Sequence, residues 1–349
     1  MSRDSMYFGI GFCLVVSAGG MQVLARKAAG AGTWYAHHVY PVLVATWGRI
    51  MGLFPFSVVE IGLYLLSVGS MAYVGWFWRK PKRVASRGIF VGGLLLFLYT
   101  ANCGINYYAD SFAKTAGLET GLYSREELIR LCEFLLEKVN ETAVPEGYQG
   151  NERAWKAEGV QAMKGLGETY PALAGFYPMP KEVAVSWILS IQQLTGIYSP
   201  FTIEANFNGS IPNYNIPHTI CHELSHLKGF MREEEANFIG YLACVNSDHP
   251  AFRYSGYLTG WVYAGNALAR EDWEAYVKLQ EGLCDQARVD LVKNNEFWNQ
   301  YEGKVAEVAN QMNDVYLKIN DQKDGVKSYG RMVDLMLGYY KTIVIQYFR

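Results

Sequence analysis

The apolar positions of this chain fall into two regimes. Residues 7–25 are almost without charge, and 58–78 and 88–106 are two further stretches of the same kind. Each is long enough to cross a bilayer as a helix, which takes about 20 residues at about 1.5 Å per residue. A cleaved signal peptide is the alternative for the first stretch. Its weakly positive start and the two spans that follow argue against that alternative. Residues 39–56 are also apolar but interrupted by Pro41, Gly48, Arg49, Gly52 and Pro55, and read as an interfacial or re-entrant helix. The loop between the second and third spans carries Arg79, Lys80, Lys82, Arg83 and Arg87. Positive-inside bias therefore expects that loop and the N-terminus in the cytoplasm, with everything after the third span outside, although Arg26, Lys27 and Arg49 oppose the bias. Glu60, near the start of the second span, is a functional candidate as an intramembrane acid. Ser57-Val58-Val59-Glu60 is also a capping box, and that reading uses all four residues.

From about Tyr107 onward the charge density becomes that of a soluble domain. Ser124-Arg125-Glu126-Glu127 is a second capping box, opening a helix whose Leu128, Leu131, Leu135, Leu136 and Val139 keep helical spacing. Residues 180–194 predict another helix. After His222 the pattern stays helical almost to the end, with breaks near His249-Pro250 and Asp324-Gly325. The exception is 196–208, where Pro200 to Phe207 partly alternate. That stretch reads either as an edge strand able to pair a peptide by β-augmentation or as a structural loop. The expected fold is mainly α: a helical membrane region over 1–106, then a mostly helical domain with a small β element over 107–349.

Composition alone hides this division. A net charge of −2 and a mean hydropathy of −0.01 average the two regimes into an ordinary soluble profile. There is no basic patch, phosphate-binding glycine loop or RNA-binding motif, so nucleic acid is not an expected partner. An aromatic share of 15%, with 25 Tyr, suits a membrane-proximal domain. The cysteines, Cys13, Cys103, Cys132, Cys221, Cys244 and Cys284, match no zinc knuckle or small disulfide framework. Each reads as a buried small hydrophobe, with pairing open for those outside the cell.

The chemistry concentrates at His222-Glu223-Leu224-Ser225-His226, an H-E-x-x-H sequence. Two His one helical turn apart can reach one metal, and the Glu between them can take a proton from a water held there. A catalytic zinc needs a third protein ligand and an open position. The longer pattern H-E-x-x-H-x-x-G-x-x-H is followed through Gly229, but its third His is replaced by Arg232, which stays protonated and cannot ligate. The next residue, Glu233, is a possible ligand, with Glu234 and Glu235 as rivals or as a solvated charge run suiting a helix start. Gly229 is then required to end the first helix and turn the chain. His218 lies on the same stripe and reads as a capping or cleft-lining residue, since a fourth ligand would close the site.

Glu233-Glu234-Glu235-Ala236-Asn237 resembles the E-x-x-[AS]-[DN] segment of zinc peptidases that use glutamate as third ligand, the gluzincins. The resemblance implies Glu233 as ligand, Ala236 as the small residue permitting close helix approach, and Asn237 as support for a ligand His. The interval after His226 is shorter here than is usual in those peptidases. Across nearly the whole chain the sequence resembles a family of bacterial membrane proteins, domain of unknown function 3810. That resemblance rests on Pro55-Phe56-Ser57 with Glu60, Gly104-Ile105-Asn106-Tyr107-Tyr108, Ser199-Pro200-Phe201-Thr202 with Glu204-Ala205-Asn206, the run from His222 to Asn237, and Gly325-Val326-Lys327-Ser328-Tyr329-Gly330.

The expected protein is a multi-pass, membrane-anchored zinc metallopeptidase with a zincin-like domain outside the cytoplasm. Zn²⁺ would sit on His222, His226 and Glu233, and a zinc-activated water would attack a peptide or protein substrate with Glu223 as general base. His249, Arg253, Tyr254, Tyr257 and Glu204 are further candidates for substrate or transition-state contacts. The polar surroundings of the H-E-x-x-H helix exclude an intramembrane peptidase. The alternative from another class is a catalytically inactive zinc-binding sensor or scaffold.

Overall fold

The computed structural model describes residues 2–121, 123–143, 152–320, 322 and 331–347. The predicted break at Asp324-Gly325 and the motif running from Gly325 to Gly330 lie outside the described residues. Two compact units are present: Met1–Asp110 with Ser199–Glu204, and Ser111–Tyr198 with Ala205–Arg349.

The first unit holds α1 (Arg3–Lys27), α2 (Ala31–His38), α3 (Tyr40–Leu43), a π-helical turn at Val44–Gly48, α4 (Arg49–Met51), α5 (Val58–Phe77) and α6 (Pro81–Tyr99). The last continues through a π-helical turn, Thr100–Gly104, and a 3₁₀ turn, Asn106–Tyr108. Three of these helices are long and apolar enough to cross a membrane: Arg3–Lys27, Val58–Phe77 and Pro81–Tyr108. They mark the chain as a membrane protein. The third is longer than the sequence stretch suggested, because the helix begins at the basic loop rather than after it. α5 leaves Leu65, Val68, Met71 and Trp76 exposed, a surface suited to hydrocarbon. The interrupted segment 39–56 forms the short helices and π turn through Met51, none long enough to span.

α1 and α6 touch backbone to backbone. A Cβ on Gly11 would lie 2.7 Å from Ile89 O, and one on Gly93 would lie 2.5 Å from Gly11 O. Small residues allow such close crossings in apolar surroundings. At the start of α5, Ser57 Oγ accepts from Glu60 N at 3.3 Å, the N-cap half of the predicted capping box, and Tyr64 donates to Glu60 Oε1 at 3.0 Å. The Glu204 carboxylate accepts the Val58 and Val59 amides at 3.1 and 2.9 Å. This corrects the sequence expectation for Glu204. It is engaged as a helix cap, where an anion meets both the orphan amides and the positive end of the helix dipole.

The second unit holds α7 (Phe112–Ala116), α8 (Arg125–Thr142), α9 (Glu152–Thr169), β1 (Lys181–Glu182), α10 (Trp187–Ser190), β2 (Gly196–Ser199), β3 (Glu204–Phe207, its first residue counted with the first unit), α11 (Asn215–Leu227), α12 (Glu233–Val245), α13 (Pro250–Glu271), α14 (Trp273–Gln280), α15 (Asp285–Asn299), α16 (Lys304–Ile319) and α17 (Met332–Tyr347). Both halves of the Ser124 capping box form, and Leu128, Leu131, Leu135 and Val139 are buried from α8. α11 packs on α9, α12 and α13, and α13 packs on α8. All six cysteines are free.

The helix predicted over 180–194 is overturned. β1 pairs parallel with β3, Lys181 opposite Asn206 and Glu182 opposite Phe207, and α10 is one short turn. The backbone bond from Val183 N to Phe207 O extends the pairing, and Gln193 at φ 56° ends the turn. Sheet pairing outweighs a helical apolar spacing that has no groove to fill. The stretch 196–208 forms two strands, in sheet order β1-β3-β2. β3 is buried at every position and paired on both sides, so it has no free edge.

Candidate metal centre

α11 runs into the site almost wholly buried, with Asn215 at its start and His222 the residues left partly open. It ends at Gly229, whose φ of +100° is the left-handed conformation a non-glycine residue adopts only with strain. That turn brings Glu233, the first residue of α12, back over His222 and His226. Glu233 Oε2 lies 3.5 Å from His222 Nε2, and Glu233 Oε1 lies 3.7 Å from His226 Nε2. One ligand atom from each of the three residues lies within 4.8 Å of the others. Tetrahedral zinc with bonds of about 2.0–2.1 Å sets its donors roughly 3.3–3.5 Å apart, so the cluster fits with adjustments of an ångström or so. The side chains of His222, His226 and Glu233 keep 12%, 10% and 16% exposure, leaving one side accessible.

His226 Nδ1 donates to Phe230 O at 2.8 Å, which leaves the Nε2 lone pair for a metal. Burial holds His226 neutral, with its pKa lowered to about 4 against the opposing pull of Glu233. For His222, burial also opposes charge, but Glu233, Glu223 and Asn237 together outweigh it and raise the pKa. His222 Nδ1 and Asn237 Nδ2 are both buried without a hydrogen-bond partner. With a cation on Nε2, His222 Nδ1 would carry the hydrogen, and the Asn237 side-chain amide, turned to present its oxygen, would be its acceptor. Replacing Asn237 with Ala is expected to weaken zinc binding about 10–100-fold, the usual cost of removing such support; competition with a chromophoric chelator measures it.

Glu223 is 4% exposed, and its Oε2 has no partner. Burial pushes its pKa to about 8, with Glu233 adding to the rise and His222 and the Tyr198 amide opposing it. β2 comes this close because residue 196 is glycine: a Cβ there would lie 2.6 Å from Glu223 Oε1 and 2.8 Å from Asn206 O. α12 approaches α11 by a similar device. Ala236 is fully buried, and a Cβ on Gly240 would lie 3.2 Å from both His218 Nε2 and His222 N.

The other glutamates are occupied elsewhere. Glu234 Oε1 pairs with Arg331 at 3.1 Å. Glu235 Oε1 accepts Phe112 N at 2.8 Å and Arg232 Nη1 at 3.3 Å. His218 bonds Asn237 O through Nε2 at 3.0 Å, joining α11 to α12. The remaining candidates take structural positions. His249 caps α13 by accepting Ala251 N at 3.2 Å. Arg253 donates to Ser247 O and Asp248 O at 2.9 and 2.7 Å. Tyr254 donates to Asp290 at 2.7 Å, and Tyr257 packs edge-on against Phe134 and Tyr241. All four belong to the framework around α13.

Three contributors were missed in the sequence: Gly196, Gly240 and the Tyr198 amide. The Tyr263 hydroxyl is buried within reach of the Glu233 charge, and both effects raise its pKa. Gly240 lies on the Glu233-Ala236-Asn237 stripe of α12, so helical spacing could have singled it out. Nothing in the spacing marks the others.

The model of a family described as protein of unknown function (DUF3810) matches residues 35–337. The chain belongs to this family. The match takes in the His222, His226 and Glu233 cluster and two of the three long apolar helices. No curated protein and no solved structure matches the chain.

Proposed function

We propose that the chain is a membrane-anchored, zinc-dependent peptidase that hydrolyses peptide bonds. The observation that carries this reading is the convergence of two His and one Glu beside a buried carboxylate with an unpartnered oxygen. Zinc bound there would supply a Lewis acid, polarising a carbonyl and making a water more acidic.

The chain's own residues account for the rest. Glu223 accepts the water's proton and passes it to the leaving amine, a role suited to a carboxyl tuned towards neutral pH. The Tyr198 amide orients it. β2, at the end of the sheet order, offers the edge along which a substrate backbone can pair. In the same reading the zincin-like unit lies outside the cytoplasm, the N-terminus inside, and the segment 39–56 at the interface or re-entrant, with a peptide or protein as substrate.

The test is metal analysis of the purified full chain together with a peptide-library assay. About one zinc per chain is expected, with cleavage abolished by a chelator and restored by added zinc. Bound zinc with no turnover would assign the site to a sensor or scaffold. Metal content unchanged by His222→Ala would reject the site altogether.

A further inference from the structure

Within the second unit, α16 turns its apolar residues outward. Val305, Val308, Met312, Val315 and Ile319 are 55%, 53%, 68%, 54% and 64% exposed. Among the described residues of α16, only Ala306 and Leu317 are buried. At about 100° per residue, that buried pair lies roughly 150° round the helix from the centre of the exposed five. One face therefore holds α16 to its own unit while another presents a continuous apolar stripe to solvent. A stripe of this kind marks an interaction surface.

Its spacing identifies what it fits. The exposed residues follow one another at intervals of three and four, which places Val305, Met312 and Ile319 at heptad position a and Val308 and Val315 at d. A strict a/d stripe is the narrow seam of a coiled coil. A helix lying in a bilayer surface instead sets a Lys- and Arg-rich polar face opposite bulky Trp, Phe or Leu. In α16 the two lysines are matched by Glu307 and Asp314, and the one Leu is buried on the other face. The flanking residues then choose the partner. Lys304, Gln311 and Lys318 fall at g, and Ala309 and Tyr316 at e. In a parallel pair of identical helices g meets e, so Lys304 lies beside Ala309 of the second copy and Gln311 beside its Tyr316, with no like charges opposed. An antiparallel pair would set Lys304 against Lys318.

We propose that α16 pairs in parallel, through this seam, with α16 of a second copy of the chain. Its 16 residues, about 24 Å of helix, are short for an isolated coiled coil. Here the helix is already formed on its own unit, and the three long apolar helices confine the copies to one membrane. Both lower the ordering cost and raise the effective concentration. The pairing is independent of the peptidase reading.

The experiment is energy transfer between donor- and acceptor-tagged full chains in liposomes, followed as the protein-to-lipid ratio rises. Wild type should associate. Met312→Lys or Met312→Glu on both chains opposes like charges at the central a position and should weaken association about tenfold or more. Donor-tagged Met312→Lys mixed with acceptor-tagged Met312→Glu should recover most of that loss. Glu307→Lys, a charge change off the seam, should associate as wild type, and so should Lys304→Glu in the parallel register. Met312 is largely exposed, so its variants should melt with wild type; Val308→Lys and Val308→Glu repeat the design at a second seam position if they do not. A wild type that stays monomeric overturns the proposal, as does association that persists in both Met312 variants. A mixture no tighter than its components also overturns it and assigns the stripe to the bilayer or to another protein. Tighter association in Lys304→Glu would overturn the parallel register.

Discussion

Glu223→Gln is expected to lower kcat about 10²–10⁴-fold, the usual contribution of a general base, while zinc content stays at the wild-type level. Gln has the shape of Glu but cannot take the proton. Because Glu223 is not one of the three clustered donors, the metal has no reason to leave. The substitution also has a signature independent of turnover. In the metal-free protein Glu223 has its pKa raised from 4.5 to about 8 by burial. Between those values the unfolded chain has released a proton that the folded chain keeps, so stability falls as pH rises across that window. Thermal unfolding of the metal-free protein from pH 4 to 9 should show this loss, and Glu223→Gln should remove that part of the slope. A variant that retained wild-type turnover would exclude Glu223 as the base.

The second large effect is expected at Glu233. Glu233→Ala should weaken zinc binding by more than the about 10–100-fold typical of supporting residues, because it removes one of three donors. Glu234→Ala should change affinity little. Its carboxylate is directed to Arg331, so its loss costs a partly exposed ion pair. Glu235→Ala should likewise keep the metal, but it leaves the buried Phe112 amide without its acceptor and should lower the unfolding temperature. Zinc titration of the three variants, each paired with a thermal melt, separates ligand from framework. Equal zinc loss in Glu233→Ala and Glu234→Ala would reject Glu233 as the third donor.

Much of the fold was legible because its signals are local. The three long apolar helices follow from runs of uncharged residues, and the Ser124 capping box from residues three positions apart. At the centre, His222 and His226 share a face by helical period alone. Gly229 announced the turn because the chain has few residues in which to reverse before Glu233. The misreadings share a different cause. The helix predicted over 180–194 has suitable apolar spacing, but Lys181 and Glu182 lie opposite Asn206 and Phe207 in the sheet. His249, Arg253, Tyr254 and Tyr257 have the right chemistry for a transition state, yet their partners are a helix end, two carbonyls, an acid and two rings.

The sequence by itself determined that three stretches are long and apolar enough to cross a membrane, that two imidazoles and a carboxylate lie on one helix, and that a second helix follows closely with acids at its start. These depend on period, length and charge, which are properties of neighbours along the chain. Only the tertiary structure decided which of three adjacent glutamates meets the imidazoles, that β3 is paired on both sides while β2 lies at one end of the sheet order, and that Glu204 caps α5 instead of facing the cluster. Each of these depends on which donors and acceptors remain once distant segments have paired, and burial makes that pairing obligatory for every polar group it encloses.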